Sequence, residues 1–378
     1  MGAARFSLAG RAKVWLQDAA AFAALPRRTP AALDDADPAL AGLAVAAVAP
    51  WRNATIDGAA LSDALDALAH RHPHVFVYDI GGGRVRIRPK HGAPATPLAV
   101  AQMPHFFARA WRYRALIAAA LKTYGLAPEM TLAIDVNDLP LAEADVPLFA
   151  FQNAGGTRAL LLPDVDFLSW TFYAGRDDRL PYEDKAIRAV FAGSSSGRTH
   201  TVDSILAPDD PRLAAAAHFA GHNLIDVRIA RAVQCETPEA KALLERQPYF
   251  RPPLSWPQQW KNRFLISIDG NGATCSRVAL ALKSRAALVK YASPFSLFYF
   301  PKLRPGADFL TVEGDEAVEA IVEAELVRPG LHRDIAEGGR AFYRRFLRRD
   351  PLLAYTALLL RAYAGVIGTP ISPRTAPP

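Results

Sequence analysis

From about residue 186 to 326 the chain alternates short apolar runs with longer amphipathic ones, a rhythm that few folds can accommodate. Residues 189–192, 224–229, 264–268, 287–291 and 309–312 are too short for helices and rich in Val, Ile, Leu and Phe. Between and after them, residues 212–220, 239–246, 275–284 and 316–326 place apolar side chains at helical spacing. Strands separated by helices are joined by crossover connections, so this half is expected to be an α/β unit built on a parallel sheet.

The half before it has a different texture. The first 50 residues are alanine-rich and read as helices with a polar loop at Asp34, Asp35 and Asp37. Residues 75–80 and 84–88 flank Gly81-Gly82-Gly83 and read as a β-hairpin; no helix follows the glycines, so they form a turn and not a phosphate loop. A helix is expected over 105–124 and short strands over 131–136, 148–152 and 159–162, with a proline-rich connection at 248–257 and a frayed tail from 371. The chain is long enough, at 378 residues, for two domains with substantial cores.

Composition removes several classes. The chain is 51% hydrophobic and 21% charged, which excludes wholesale disorder. Cys235 and Cys275 are its 2 cysteines, too few for a disulfide framework or a four-thiolate zinc site. No run approaches the roughly 18 apolar residues of a membrane span, and residues 19–25 are too alanine-rich for a signal sequence. These features lead to the expectation of a cytoplasmic protein in a reducing compartment.

Lys and Arg number 44 against 37 Asp and Glu, a net charge of +7. Much of the excess lies after residue 330, where Arg333, Arg340, Arg344, Arg345, Arg348, Arg349, Arg361 and Arg374 face only Asp334, Glu337 and Asp350. Phe342, Phe346, Leu353 and Leu360 form an apolar stripe in the same segment. The segment reads either as a solvated helix face or as an attraction to an anionic surface, a membrane leaflet or acidic glycolipid. Zinc-finger spacing, an RNP-type aromatic motif and a basic heptad region are all lacking, so nucleic acid is not expected.

Two turns in the α/β half suit an anion. Val190-Phe-Ala-Gly-Ser-Ser-Ser-Gly-Arg-Thr-His200 runs from a strand into hydroxyls, with Ser194, Arg198 and His200 as possible donors. Leu265-Ile-Ser-Ile-Asp-Gly-Asn-Gly-Ala-Thr-Cys-Ser-Arg277 is a strand, a Gly-Asn-Gly turn and a helix start. Glycine allows close backbone approach and a helix N-terminus faces phosphate; the same residues also serve as tight turns and caps. Neither turn is a Walker A loop or a complete dinucleotide fingerprint. In the first half, Asp138 precedes Pro140 where a strand ends, as a turn-former or as a base facing a cleft. Asp164 and Asp166 offer a competing pair for a divalent cation on a diphosphate.

These segments, in this order, resemble glycosyltransferase family 90. Asp138-Leu-Pro followed by Val146-Pro-Leu-Phe resembles the segment carrying the family's catalytic aspartate, which falls on Asp138. Ser169-Trp-Thr-Phe-Tyr-Ala-Gly175 resembles its acceptor-side loop, making Trp170, Phe172, Tyr173 and Gly175 candidate substrate-binding residues. Phe191-Ala-Gly-Ser194 with Arg198 resembles the family's Phe-Arg-Gly-Ser turn and following arginine, with Ala192 in place of the turn's own arginine. Asp269 to Arg277 resembles the donor-nucleotide loop, assigning Gly272, Ala273, Thr274, Cys275, Ser276 and Arg277 to it. Phe298-Tyr-Phe-Pro-Lys-Leu-Arg-Pro305 and the helix from Tyr343 to Tyr363 resemble its closing segments.

The resemblance implies a GT-B-type architecture, two Rossmann-like domains facing across a cleft. Residues 1–182 would form the acceptor domain and 183–338 the nucleotide-sugar domain, with 339–366 a closing helix returning to the first domain and 367–378 a tail. It implies inverting transfer of glucose or xylose from a UDP-sugar to a hydroxyl of lipopolysaccharide, capsule or a similar glycan, with Asp138 as base and no metal. The work site would be the inner membrane face. The alternatives are a metal-dependent transferase using Asp164 and Asp166, or a non-enzymatic basic glycolipid-binding protein.

Overall fold

The computed structural model describes residues 32–54, 58–89, 97–141, 144–164, 167, 177–273, 275–369 and 371–373. The chain divides into two compact units, both mixed α/β. The first comprises the described residues of Met1–Ala174, Leu297–Pro301 and Arg349–Pro378, the second those of Gly175–Ser296 and Lys302–Arg348.

In the first unit, α1 (Pro38–Val48) and α2 (Gly58–Arg71) precede the hairpin β1 (Val75–Gly81) and β2 (Arg84–Ile87). The hairpin turns on Gly82 and Gly83 at φ of 55° and 71°, a pair of left-handed residues that glycine adopts without strain. The long α3 (Pro97–Thr123) leads through β3 (Leu126–Pro128) to β4 (Met130–Asp135), β5 (Leu148–Ala150) and β6 (Leu160–Leu161). The sheet order is β2-β1-β4-β5-β6; β1 is antiparallel to both neighbours, and the pairs β4–β5 and β5–β6 are parallel. This sheet is therefore mixed and not the all-parallel Rossmann arrangement.

The second unit has the sheet expected from the alternating rhythm. Its strands are β7 (Ala186–Ser194), β8 (Ile225–Arg231), β9 (Asn262–Ser267), β10 (Ala287–Tyr291) and β11 (Leu310–Val312). Helices α4 (Val202–Leu206) and α5 (Pro211–His218) follow β7, α6 (Pro238–Glu245) follows β8, and α7 (Cys275–Lys283) follows β9. The order β11-β10-β9-β7-β8 is parallel throughout. Strand order reverses between β7 and β9, and the crevice beyond their carboxyl ends is where doubly wound sheets bind ligands. Phe264, Ile266, Val289, Ile225 and Val227 fill the core around this sheet.

After β11 come α8 (Asp315–Val327), α9 (Arg333–Phe342), a π-helical turn (Tyr343–Leu347) and α10 (Arg349–Val366). The single closing helix expected over 339–366 is thus broken, with Arg348 extended at φ −73° and ψ 165°. Pro351 supplies the reason: it has no N–H, so a helix tolerates it in its first turn and not in its interior. Helix α10 packs against α1 and α3, and its tyrosines bind the sheet of the first unit. Tyr355 Oη donates to Leu161 O (2.7 Å) and Tyr363 Oη to Thr131 O (2.9 Å). The tail expected to fray instead adds a strand, β12 (Ile371–Pro373), antiparallel to β3.

One buried carboxylate joins α8, α9 and β9. Glu325 accepts from Arg263 Nη1 (2.6 Å), Gly330 N (2.7 Å), His332 N (3.1 Å) and His332 Nδ1 (2.8 Å). Burial alone would raise its pKa, but the hydrogen bonds from Gly330, His332 and Arg263 win and lower it. The stabilisation is therefore present above the ordinary value of 4.5 and is lost as pH falls through the folded value. Glu325→Ala, which leaves Arg263 a buried unpaired cation, is expected to cost about 3–5 kcal/mol in urea unfolding at neutral pH. The difference from wild type should shrink as the unfolding is repeated at progressively more acidic pH.

Candidate active site

At the strand-order reversal, the turn after β7 and the turn after β9 meet over a buried arginine. Arg212 stands in the first turn of α5, whose N-cap, Asp210, accepts from Arg212 N (3.1 Å) and Leu213 N (3.2 Å). The guanidinium Nη1 donates to Ser194 O (2.9 Å) and Ser196 Oγ (2.8 Å), and Nη2 to Ile268 O (2.8 Å). A Cβ on Gly270 would lie 2.6 Å and 2.8 Å from Nη2 and Nη1 and 2.8 Å from Ser196 Oγ, so only glycine fits there. Ser194 Oγ and Ser196 Oγ lie 3.1 Å apart.

A second arginine joins it. Arg277, in the first turn of α7, donates to Gln259 Oε1 (3.0 Å) and to the carbonyl of Ala192. The buried Phe191 ring packs against both cations, 4.4 Å from Arg277 Cζ and 5.3 Å from Arg212 Cζ. Among the described residues neither guanidinium has a carboxylate within ion-pair distance. Desolvation lowers Arg212 to about 10, opposed by the more distant Asp210 and Asp269. Desolvation, and then the charge of Arg212, lowers Arg277 to about 9. Lys290 Nζ, 3.1 Å away, and the Ser293 hydroxyl occupy the carboxylate of Asp269. Two desolvated, like-charged groups held by neutral oxygens are a costly arrangement that an anion would relieve. Helix α7 begins beside them, with its first N–H groups unpaired within the helix.

The candidates in these turns are divided by the fold. Ser194 and Arg277 line the crevice as described, Gly272 and Ala273 are buried in the turn, and Cys275 and Ser276 open α7. Thr274 lies outside the described residues. Arg198 is exposed and ion-paired with Asp209 (2.6 Å), which raises its pKa. His200 is fully buried: its Nε2 meets Ser195 O, its N–H donates to Gln234 O (2.7 Å), and its carbonyl accepts from Glu236 N (2.9 Å). It therefore shapes the turn.

In the first unit, two aspartates follow the end of β4 and differ in kind. Asp135 is fully buried and spent on structure, accepting from Asn137 N (2.9 Å) and Leu141 N (2.9 Å), with His74 Nδ1 at 2.8 Å. The loop it organises carries Asp138, whose side chain is 40% exposed and ion-paired at 2.8 Å with Arg109 Nη2. Arg109, on α3, also donates to Val136 O (2.7 Å) and lies over the Phe151 ring. The arrangement holds an accessible carboxylate in a defined orientation. Asp164 is buried, while Asp166, Trp170, Phe172, Tyr173 and Gly175 lie outside the described residues. No group of three or more His, Cys, Asp or Glu side chains suited to a metal occurs among the described residues.

Sequence reasoning missed Arg212 and Arg109. Neither stands in a motif; the only local signal is Asp210-Pro211, a helix start that places the next residue in the first turn. Gly270→Ala is expected to push the hydrogen-bonded Arg212 aside and cost about 1–3 kcal/mol in urea unfolding. Arg198→Ala, on an exposed pair, should leave the unfolding midpoint unchanged.

This geometry gives an α/β protein with an arginine-lined crevice in one unit and an oriented carboxylate in the other. Residues 102–375 match the model of glycosyl transferase family 90, and the chain belongs to that family. Glycosyl transfer is the activity for which that family is named. Among solved structures, one described as a crystal structure of a GtfA/B complex is similar over 47% of this chain and 38% of that one, at 16% identity and a TM-score of 0.28. This chain thus spans well under half of that neighbour's length. Curated proteins give no match.

Proposed function

We propose that the protein is an inverting glycosyltransferase that moves a sugar, glucose or xylose, from a UDP-sugar to a hydroxyl of a glycan or glycolipid such as lipopolysaccharide or capsule. The observation that carries this reading is the pair of desolvated arginines, Arg212 and Arg277, at the strand-order reversal of a doubly wound sheet. A diphosphate brings the negative charge they lack. As the glycosidic bond breaks, further charge develops on the β-phosphate, and preorganised guanidiniums and helix N–H groups stabilise it without reorganisation. Ser194, Ser196 and the backbone of Gly272 and Ala273 supply neutral donors beside them. Arg198, in the same turn, is exposed and paired with Asp209, and stands at the rim.

Asp138 is the base in this reading. It takes the proton of the acceptor hydroxyl while that oxygen attacks the anomeric carbon from the face opposite UDP, and configuration inverts. Arg109 positions the carboxylate. The two units are the halves of a GT-B-type enzyme, acceptor in the first and nucleotide in the second, with Trp170, Phe172, Tyr173 and Gly175 on the acceptor side. No metal is assigned. No helix of the described residues is long and apolar enough to cross a membrane.

Thermal unfolding with UDP and UDP-sugars tests the nucleotide site. UDP at about 100 times its Kd should stabilise the wild type by roughly 2.7 kcal/mol. Arg212→Ala and Arg277→Ala should each abolish most of that shift; a full shift in both variants would refute the assignment. Asp138→Asn should keep the shift while transfer falls by about 10²–10⁴. Normal transfer by that variant would remove Asp138 from the reaction. Loss of activity in chelator, restored by a divalent cation, would favour Asp164 and Asp166 instead.

A further inference from the structure

The second unit has another end. Arg333 is ion-paired with Glu183, three residues before β7. Gly338 and Gly339 lie against the backbone of Ala307 and Asp308, which lead into β11. Burial, and then the charges of Arg285, two residues before β10, and of Arg344, depress the pKa of Arg340. Helix α9 therefore runs along the amino-terminal edge of the sheet, opposite the Ser194 and Gly272 turns. The chain then passes through the π turn to Arg348, leaving Arg344, Arg345 and Arg348 exposed. Among the described residues, Arg344 and Arg348 have no ion-pair partner.

The same edge carries exposed aliphatic side chains. Helix α8 ends there, because Glu325 in its last turn binds Arg263 at the start of β9. Val318 and Val322 of α8 are buried, but its last two residues expose Leu326 at 44% and Val327 at 87%, and the loop that follows exposes Leu331 at 39%. Arg328 is exposed among them. Isolated exposed aliphatics are ordinary; three within six residues, with Arg328 among them and α9 leading on to Arg344 and Arg348, are not.

We propose that this edge docks the protein on an anionic lipid bilayer. Leu326, Val327 and Leu331 enter the boundary between headgroups and acyl chains, while Arg344, Arg345 and Arg348 face lipid phosphates. The two features act together: a short aliphatic tip adds area that charge alone does not supply, and the charge selects anionic lipid. The tip has no aromatic side chain on which a nucleobase would stack, which favours lipid over single-stranded nucleic acid. The inference is independent of the transfer reaction, and neither stands or falls with the other.

Sedimentation of the full chain with vesicles tests it. The protein should bind vesicles of phosphatidylcholine mixed with phosphatidylglycerol, not phosphatidylcholine alone, and salt should weaken binding. Replacing Arg344, Arg345 and Arg348 together by Ala should lower partitioning about 100-fold, at roughly fivefold per charge. Val327→Asp with Leu331→Asp should weaken it at low salt without changing the melting temperature, since both side chains are exposed. A Val327→Trp variant should show blue-shifted emission on anionic vesicles only. Failure to bind anionic vesicles, equal binding to neutral ones, or retention by the arginine variant would overturn the proposal. So would undiminished binding of the aspartate variant, which would mean attraction by charge alone, or an unshifted tryptophan.

Discussion

Two guanidiniums packed against one phenylalanine ring hold the crevice of the second unit together. Arg212 ties the turn after β7 to the end of β9 by bonding Ser194, Ser196 and Ile268, and Arg277 ties the start of α7 back to the carbonyl of Ala192. Every bond is to a neutral oxygen. The arginines therefore set the shape of the crevice while keeping their charge uncancelled, and the proposed diphosphate site rests on these same groups. Gly270 is part of the same constraint, because any side chain there would occupy the space of the Arg212 guanidinium.

The first unit solves a different problem. The loop after β4 must be fixed while still presenting an accessible, oriented carboxylate, and it divides those demands between two aspartates. Asp135 is buried and spends its oxygens on Asn137, Leu141 and His74, which fixes the loop. Asp138 is left accessible, with Arg109 holding one oxygen. Position in sequence alone does not separate a structural aspartate from an available one three residues later; the hydrogen bonds do.

What was legible in the sequence follows from what each feature depends on. Buried parallel strands are continuous apolar runs, so 189–192, 264–268 and 287–291 could be read directly and the parallel sheet inferred. The Ser194 and Gly272 turns were legible because glycine and serine mark a close approach after a strand. Arg212 was not, since its role arises where residues 194, 212 and 268 converge, and no local pattern encodes that convergence. Arg198 looked like the anion ligand because it stands in the turn, yet Asp209 draws it to the surface. The closing helix was misread as continuous because its apolar stripe persists across the break that Pro351 imposes. The strand formed by the tail depends on backbone pairing with β3, which leaves little trace in side-chain composition.

The basic surplus also divides once the fold is known. Arg361 pairs with Asp34 in the first unit and Arg333 with Glu183 in the second, so neither adds freely to a surface field. The central claim concerns the desolvated pair Arg212 and Arg277. A crystal structure of the protein with UDP tests it most directly: the diphosphate should lie within ion-pair distance of Arg212 or Arg277, between the Ser194 and Gly272 turns. A diphosphate bound away from both arginines, or held through a cation at Asp164 and Asp166, would contradict it.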